Sequence, residues 1–491
     1  MKARTLIAPA AVFLAAFAYF HSLQFSAPNI PGFDGYYHIK FAEITRHEGI
    51  VKSFPWFQQT YWKDYFVDQH FLFHLLLVPF TYGDLTQGAK TAAVVFCALM
   101  VAVFHTVLRG ARVPCPWAWT VILSIGSPEF LYRMALPRAP VLALALLFLG
   151  FYSLYKKNRL GLFFLGFFFV WLYGGFTLLV LFAGLWFLSE RVLEKKLDRP
   201  TVYVFMSGIL AGLIVNPYFP ENIAFIYTQT FAAGIDRAVE GGQEWLPYRW
   251  EKLLEDNWIP AALFVFSSGV FAAAWRKPRV ETSAWVLFSV AALLLTLGSR
   301  RFIEYLVPCM AVASALLLRD GWESLRQKSF FRSEWLSPAF LAAFLMLVPW
   351  LAPDQFAAAK KEMEDTRDPG RYKQAALWLE KNTPGSTIYL TDWDDFPELF
   401  FYNSRNRYIV GLDPAFLYIY DPYLHKKWIE INSGTIRQDP YPVLLYLFRT
   451  PYIYTDNEHG PFIRLMERNP RIKLEYLDAY GRIYSLKEKQ D

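Results

Sequence analysis

Charge is scarce in this chain. Only 19% of its 491 residues are Asp, Glu, Lys or Arg, few for a water-soluble surface around a chain that is 55% hydrophobic and 19% aromatic. Cysteine is nearly missing: Cys97, Cys115 and Cys309 are too few and too scattered for a disulfide framework or a cysteine metal cluster. No sign of charge dominates, because the formal +6 is spread along the chain, which argues against a nucleic-acid surface. A small-residue cleavage pattern is also missing after the first apolar run, Leu6 to Phe25. That run follows Lys2 and Arg4 and therefore reads as a retained first helix, not a removed signal.

What is present is a series of apolar runs with polar punctuation, the mark of a polytopic α-helical membrane protein lying in a lipid bilayer. Basic loops stay on the cytoplasmic side, so "RGAR", "KKNR", "SERVLEKKLDR", "RKPR" and "RDGWESLRQK" fix the expected orientation. The first helix exits near Phe25, and residues 26–90 stay outside, with "FLFHLLLVPF" too short to cross and lying in the interface. The aromatic block Leu160 to Leu188 is too long for one crossing and splits at "YGGF". Counting onward through a second outer loop at 217–257 gives about eleven spans, the last from Leu336 to Leu351. The expected organisation is a transmembrane part over 1–351 and an extracytoplasmic mixed α/β domain over 352–491.

This arrangement gathers four unusual segments on the outer face. "DGYYHIKFAEI" places Asp34 and His38 one turn apart on a helix. "SPEFLYRMALPRAP" carries Glu129, Arg133 and Arg138; "GIDRAVEGGQEWLPYRW" carries Glu240 and Glu244; "GSRRFIEY" carries Arg300 and Arg301. Arginine forks hold phosphates, and a carboxylate beside them can activate an acceptor or ligate a metal. Plainer readings exist for each. Asp34 can be a solvated juxtamembrane acid, Arg300 and Arg301 can snorkel to headgroups, Glu240 and Glu244 can be solvated loop residues, and His38 can be a hydrogen-bonded surface histidine.

"GFDGYYHIKFAEI" resembles the first acidic motif of GT-C glycosyltransferases, in particular the catalytic subunits of oligosaccharyltransferases. "VEGGQEWLPYRW" looks like their glutamate-bearing external loop, "SRRFIEYLVP" like their arginine-bearing span start, and "TDWDDF" like part of their "WWDYG" signature. The resemblance implies a GT-C fold in a multi-pass protein of the bacterial inner membrane. It implies Asp34 and Glu244 as catalytic acids, and Arg300, Arg301, Arg138 and His38 around a polyprenyl-phosphate-linked sugar donor. Trp393, Asp394 and Asp395 would face the acceptor. Asp34, Glu129, Glu244 and Glu240 would be the oxygen ligands available to Mg2+ or Mn2+. The sequence departs from the family where a second acidic pair is expected, since that place holds one acid and two arginines, which can take the cation's place. "TDWDDF" also lacks the second tryptophan and the "DYG" order.

In the tail, "RYKQAALWLEKN" reads as an amphipathic helix, "STIYLT" and "NRYIVGLD" as strands, and "DDFPELFFYN" as a helix capped by an acid. The expected function is inverting transfer of a sugar or oligosaccharide from the lipid-linked donor to an extracytoplasmic protein, glycan or lipid. The alternatives are a single-sugar transferase acting on a cell-envelope glycan or lipid, and a non-catalytic transport or assembly protein. No internal repeat of the transporter kind is visible.

Overall fold

The computed structural model describes residues 2–229, 242–325, 336–364, 368 and 370–486. Apolar runs bounded by capping residues or prolines become helices, and the caps explain several boundaries. Helix α1 spans Lys2–Gln24, α2 Asp34–Glu48 and α3 Phe71–Leu77, while α4, Leu85–Gly110, begins where Asp84 accepts a hydrogen bond from the Gln87 N–H at 2.8 Å. After α5, Pro116–Ile125, the helix α6, Pro128–Ala135, is capped by Ser127 and bends by 106° into α7, Pro140–Tyr155. The aromatic block does split at Tyr173–Gly175, into α8, Arg159–Leu172, and α9, Phe176–Leu193. Then follow α10 Arg199–Ile214, α11 Glu221–Tyr227, α12 Trp250–Asp256, α13 Trp258–Ala273, α14 Val280–Gly298, α15 Ile303–Leu325 and α16 Leu336–Glu364.

Apolar helices stand where the runs predicted them, but the count of about eleven full spans is not reproduced. Among the described residues, five helices are long and apolar enough to cross a bilayer, or six if the bent α6–α7 pair is one span. Five others, such as Arg159–Leu172 and Trp258–Ala273, hold 10–17 residues. At 1.5 Å per residue they reach about 15–25 Å, short of the hydrocarbon thickness of roughly 30 Å. Glycine draws some of these short helices together. A Cβ on Gly208 of α10 would stand 2.3 Å from the Phe163 carbonyl oxygen of α8, so only glycine allows that approach. Helices α4 and α15 are buried along most of their length and form the centre of the bundle.

The composition change near Leu351 does not end a helix, since α16 continues to Glu364. Beyond it, α17 spans Lys373–Asn382 and α18 Phe396–Tyr402, around a five-stranded sheet. Its strands are β1 Thr387–Leu390, β2 Arg407–Tyr408, β3 Tyr452–Asp456, β4 Ile472–Leu477 and β5 Gly481–Leu486, in the order β2-β1-β3-β5-β4. Strand β1 is parallel to β2 and β3; β5 runs antiparallel between β3 and β4. This is the mixed α/β tail that the alternating pattern predicted, with "NRYIVGLD" contributing a two-residue strand only.

The tail rests on the segment between α2 and α3. Tyr408 N–H donates to the Trp56 carbonyl at 2.7 Å, and Gln58 N–H donates to the Tyr408 carbonyl at 3.1 Å, lengthening the sheet edge. Phe57 and Phe54 pack on Phe396, and Trp62 stacks on Phe416 at 4.9 Å between ring centres. The aromatic-rich "GLDPAFLYIYDPYLHKKW" therefore packs, through Phe416, on the segment between α2 and α3.

Candidate functional site

Asp34 is the first residue of α2, where a carboxylate is favoured by the helix dipole. Gly35 follows it for a steric reason: a Cβ there would lie 2.4 Å from Pro137 Cγ. That close approach brings the start of α2 against the α6–α7 bend and places Arg138 beside Asp34. Arg138 Nη1 stands 3.3 Å from Asp34 Oδ2 and 3.4 Å from Glu244 Oε2, and its Nη2 donates to Glu304 Oε1 at 2.9 Å. Arg133 repeats the pattern one turn back, with Nη2 2.9 Å from Glu244 Oε2 and 2.8 Å from Glu304 Oε1. Glu129 reaches Arg133 only at 3.9 Å.

Glu244 arrives on the turn Gln243–Trp245 of the outer loop, and Arg301 on the turn Arg300–Phe302 that opens α15. The two turns are tied together by Ser299 Oγ donating to the Glu244 carbonyl and by Arg300 N–H donating to the Leu246 carbonyl, each at 3.0 Å. Arg301 lies 3.7 Å from Glu244, over the Trp245 ring at 4.4 Å, and donates to the Tyr173 hydroxyl at 3.3 Å. Burial pushes the Glu244 carboxyl up, but Arg301, Arg138 and Arg133 outweigh it and hold the group well below the usual carboxylate range. Arg300 turns away from this centre and sits over the Tyr248 ring at 5.1 Å.

The cluster is graded from buried to open. The Glu304 side chain is 2% exposed, whereas that of Asp34 is 43% exposed. An anchoring acid thus lies at the bottom and a reachable one at the rim. Arg138 Nε is buried without a hydrogen-bond partner, and so is the Tyr305 hydroxyl.

The carboxylates that were expected to ligate Mg2+ or Mn2+ are bridged by guanidinium groups. Among the described residues, no three His, Cys, Asp or Glu side chains are grouped to hold a metal ion. Arg138 stands between Asp34, Glu244 and Glu304, where a cation would have to stand, so the donor set does not fit a hard divalent ion. Glu240 lies outside the described residues.

His38 is not a surface histidine. It is 4% exposed, and its Nδ1 is 2.8 Å from Nε2 of His74, whose Nδ1 is 2.7 Å from Asp68 Oδ2. In the tail, Trp393 approaches the outer loop, where a Cβ on Gly242 would stand 3.5 Å from its ring. Asp395, by contrast, is 1% exposed and accepts a hydrogen bond from Tyr372, so it faces the tail's interior. It occupies the α18 N-cap position, yet its side chain makes no capping hydrogen bond. Burial raises its carboxyl, with Asp394, Asp456 and Asp392 adding to the effect. The Asp394 N–H lies 3.5 Å from Asp392 Oδ1.

Sequence reasoning left several contributors unassigned. Glu304 was visible as the acid in "RRFIEY", and His74 with Asp68 in "VDQHFLFH". Asp413, on the loop after β2, carried no local signal. Burial pushes its carboxyl up to about 6, opposed by the Ala415 N–H bond and by Arg301.

No protein-family model matches the sequence, and no curated protein matches it. Solved structures do. An apo oligosaccharyltransferase from Archaeoglobus fulgidus aligns over 98% of this chain and 75% of its own, at 13% identity and a TM-score of 0.64. ArnT from Cupriavidus metallidurans aligns over 97% of both chains, at 11% identity and a TM-score of 0.60. The arabinofuranosyltransferase AftD from Mycobacteria aligns over 98% of this chain and 40% of its own, at 13% identity and a TM-score of 0.58. These neighbours are GT-C-fold glycosyltransferases, and the fold of this chain is the GT-C fold.

Proposed function

We propose that this chain is a membrane glycosyltransferase that moves a sugar from a polyprenyl-phosphate-linked donor to an extracytoplasmic acceptor. The observation that carries the reading is Arg138 bridging Asp34, Glu244 and Glu304, with Arg301 beside it at the mouth of the bundle. Arg301 and Arg138 bind the donor's phosphate oxygens, while Arg133 and Glu304 hold Arg138 and Glu244 in place. Asp34, open at the rim, accepts a hydrogen bond from the acceptor nucleophile and aims it at the anomeric carbon. The acceptor bond forms as the carbon–oxygen bond to phosphate breaks, and the phosphate leaves with the electron pair towards the arginines, giving inversion. Trp393 and Asp394 line the acceptor side. The guanidinium groups supply the positive charge that a metal would otherwise provide, so no step passes through Mg2+ or Mn2+.

The solved relatives support the donor class. One structure of the Archaeoglobus enzyme holds a dolichol-phosphate and an inhibitory peptide, and one of ArnT holds undecaprenyl phosphate. A second reading, transfer of a single sugar to an envelope glycan or lipid, gains from one comparison. The arabinofuranosyltransferase AftD aligns over 98% of this chain, and a quarter of the oligosaccharyltransferase has no counterpart here. On either reading the protein lies in the bacterial inner membrane with its tail outside. Purified protein given polyprenyl-phosphate donors bearing one sugar or an oligosaccharide, with peptide or lipid acceptors, decides between them. Failure of Arg301→Ala to weaken polyprenyl-phosphate binding would refute the donor site.

A further inference from the structure

The loop that carries Glu244 leads back to the bundle through a segment with three kinds of side chain. On α12 and just after it, Leu253 and Asn257 are buried, and Glu251, Lys252 and Glu255 are exposed as charged groups usually are. Trp250, Leu254 and Trp258 are large and apolar, yet they are 61%, 46% and 48% exposed. Four-residue spacing puts Trp250 and Leu254 on one side of α12, and Trp258 opens α13 directly beyond Asn257. Upstream, Trp245 and Leu246 beside Glu244 are exposed as well. One such residue would mean little, but so many in one short segment call for a cover. The bilayer supplies it. From Trp258 the exposed residues continue along α13 through Ala262, Val265 and Phe266, at three- and four-residue steps, on a helix that is apolar throughout. Lipid covers that face of α13, and the α12 stripe lies at its end. Tryptophan favours this boundary between hydrocarbon and headgroups, and the charged residues of α12 keep the helix from sinking deeper.

The same segment is wired to the arginine cluster. Glu244 and Trp245 share one turn, and the Trp245 ring lies under the Arg301 guanidinium at 4.4 Å. Arg300 N–H donates to the Leu246 carbonyl at 3.0 Å, and the Arg300 guanidinium sits over the Tyr248 ring. The Tyr248 hydroxyl in turn donates to Asp256 Oδ2, at the end of α12, at 2.6 Å. A displacement of α12 is therefore passed through Tyr248 and Arg300 to the turn that holds Glu244.

We propose that the segment Trp245–Trp258 is an anchor in the headgroup boundary of the leaflet that faces the tail, and that this anchor sets the height of the Glu244 turn beside Arg301. The partner is the lipid surface itself. The purpose of the anchor rests on the glycosyl-transfer reading: a polyprenyl-phosphate donor carries its phosphate at the level of the lipid headgroups, so anchor and donor are held to the same plane. Trp250 and Leu254 are positioning residues, acting on Glu244 and Arg301 through Tyr248 and Arg300.

The test uses full-length protein in nanodiscs of phosphatidylcholine and phosphatidylglycerol. Cys97 and Cys309 are buried and Cys115 is exposed, so Cys115→Ser gives a background for single labels. A thiol-reactive fluorophore is placed at Trp250→Cys, Leu254→Cys or Lys252→Cys. It is then quenched by iodide from the water or by a lipid bearing a nitroxide near its headgroup. Labels at 250 and 254 are expected to be quenched by the lipid and protected from iodide, with the reverse at 252. Iodide quenching at 250 and 254 equal to that at 252 overturns the anchor. Shielding from both quenchers also overturns it, in favour of a second copy or another protein on this face. Trp250→Ser combined with Leu254→Ser is expected to raise the Kd for polyprenyl phosphate about fivefold or more, and Trp250→Phe to keep the parent value. An unchanged Kd in the double variant overturns the link from anchor to site. If Arg301→Ala weakens donor binding while the labels lie in water, the transfer reading stands and the anchor fails. If Arg301→Ala binds donor like the parent while the labels lie in lipid, it is the transfer reading that fails.

Discussion

Arg138 Nη2 donates to Glu304 Oε1 at 2.9 Å across 166 residues of sequence, joining the α6–α7 bend to the first turn of α15. Arg133 donates to the same oxygen. A single buried carboxylate therefore holds the two guanidinium groups on which the outer site is built.

Removing that carboxylate leaves both arginines buried with too little counter-charge. Glu304→Met is expected to destabilise the protein by about 3–5 kcal/mol. Thermal unfolding in detergent checks this, and transfer falls with it because Glu244 and Arg138 lose their fixed spacing.

Asp34→Asn keeps the size and one acceptor oxygen but removes the charge at the rim. Transfer is expected to drop by about 10²-fold or more, with thermal stability and donor binding close to those of the parent. Single-turnover assays measure the drop. Full activity would remove Asp34 from the chemistry.

Chelation should not matter. Because Arg138 stands among Asp34, Glu244 and Glu304, EDTA treatment followed by gel filtration is expected to leave the rate unchanged. Loss of activity restored by Mn2+ or Mg2+ would contradict the arginine assignment.

Trp393 lies beside the Gly242 turn of the outer loop. Trp393→Ala is expected to raise the acceptor KM about tenfold, the scale of losing one aromatic anchor, while the donor KM stays constant. Steady-state kinetics with each substrate varied in turn separates the two.

Asp413 gives a pH signature. Its carboxyl is raised from 3.8 to about 6 by burial, so the folded state prefers the neutral acid. The associated stability is fully present below pH 3.8 and is lost as pH rises through about 6. Asp413→Asn is therefore expected to raise the melting temperature relative to the parent at pH 7.5, and the gain should vanish near pH 4. A constant difference across that window would disprove it.

Much of this protein was legible in one dimension. Apolar runs predicted where helices form, and "YGGF" marked the break between α8 and α9, because helix-breaking residues act on their own neighbours. Asp34, Arg138 and Arg301 were expected at one face because charged groups at the ends of apolar runs are expensive enough to require a reason, and Glu244 because of its place in the outer loop; the structure brings the four together. Asp395 misled, since an acid before a helix reads as a cap, and only packing shows it turned inward to Tyr372.

The sequence by itself determined which segments are apolar, where they break, and which ionisable groups stand at their ends, since these follow from local composition and backbone chemistry. Only the tertiary structure decided that Glu304 anchors two arginines, that those arginines stand where a metal was expected, and that His38 continues through His74 to Asp68. Such pairings depend on the angle of the α6–α7 bend and on the contact of Gly35 with Pro137. These are relations between distant segments, and no local propensity encodes them.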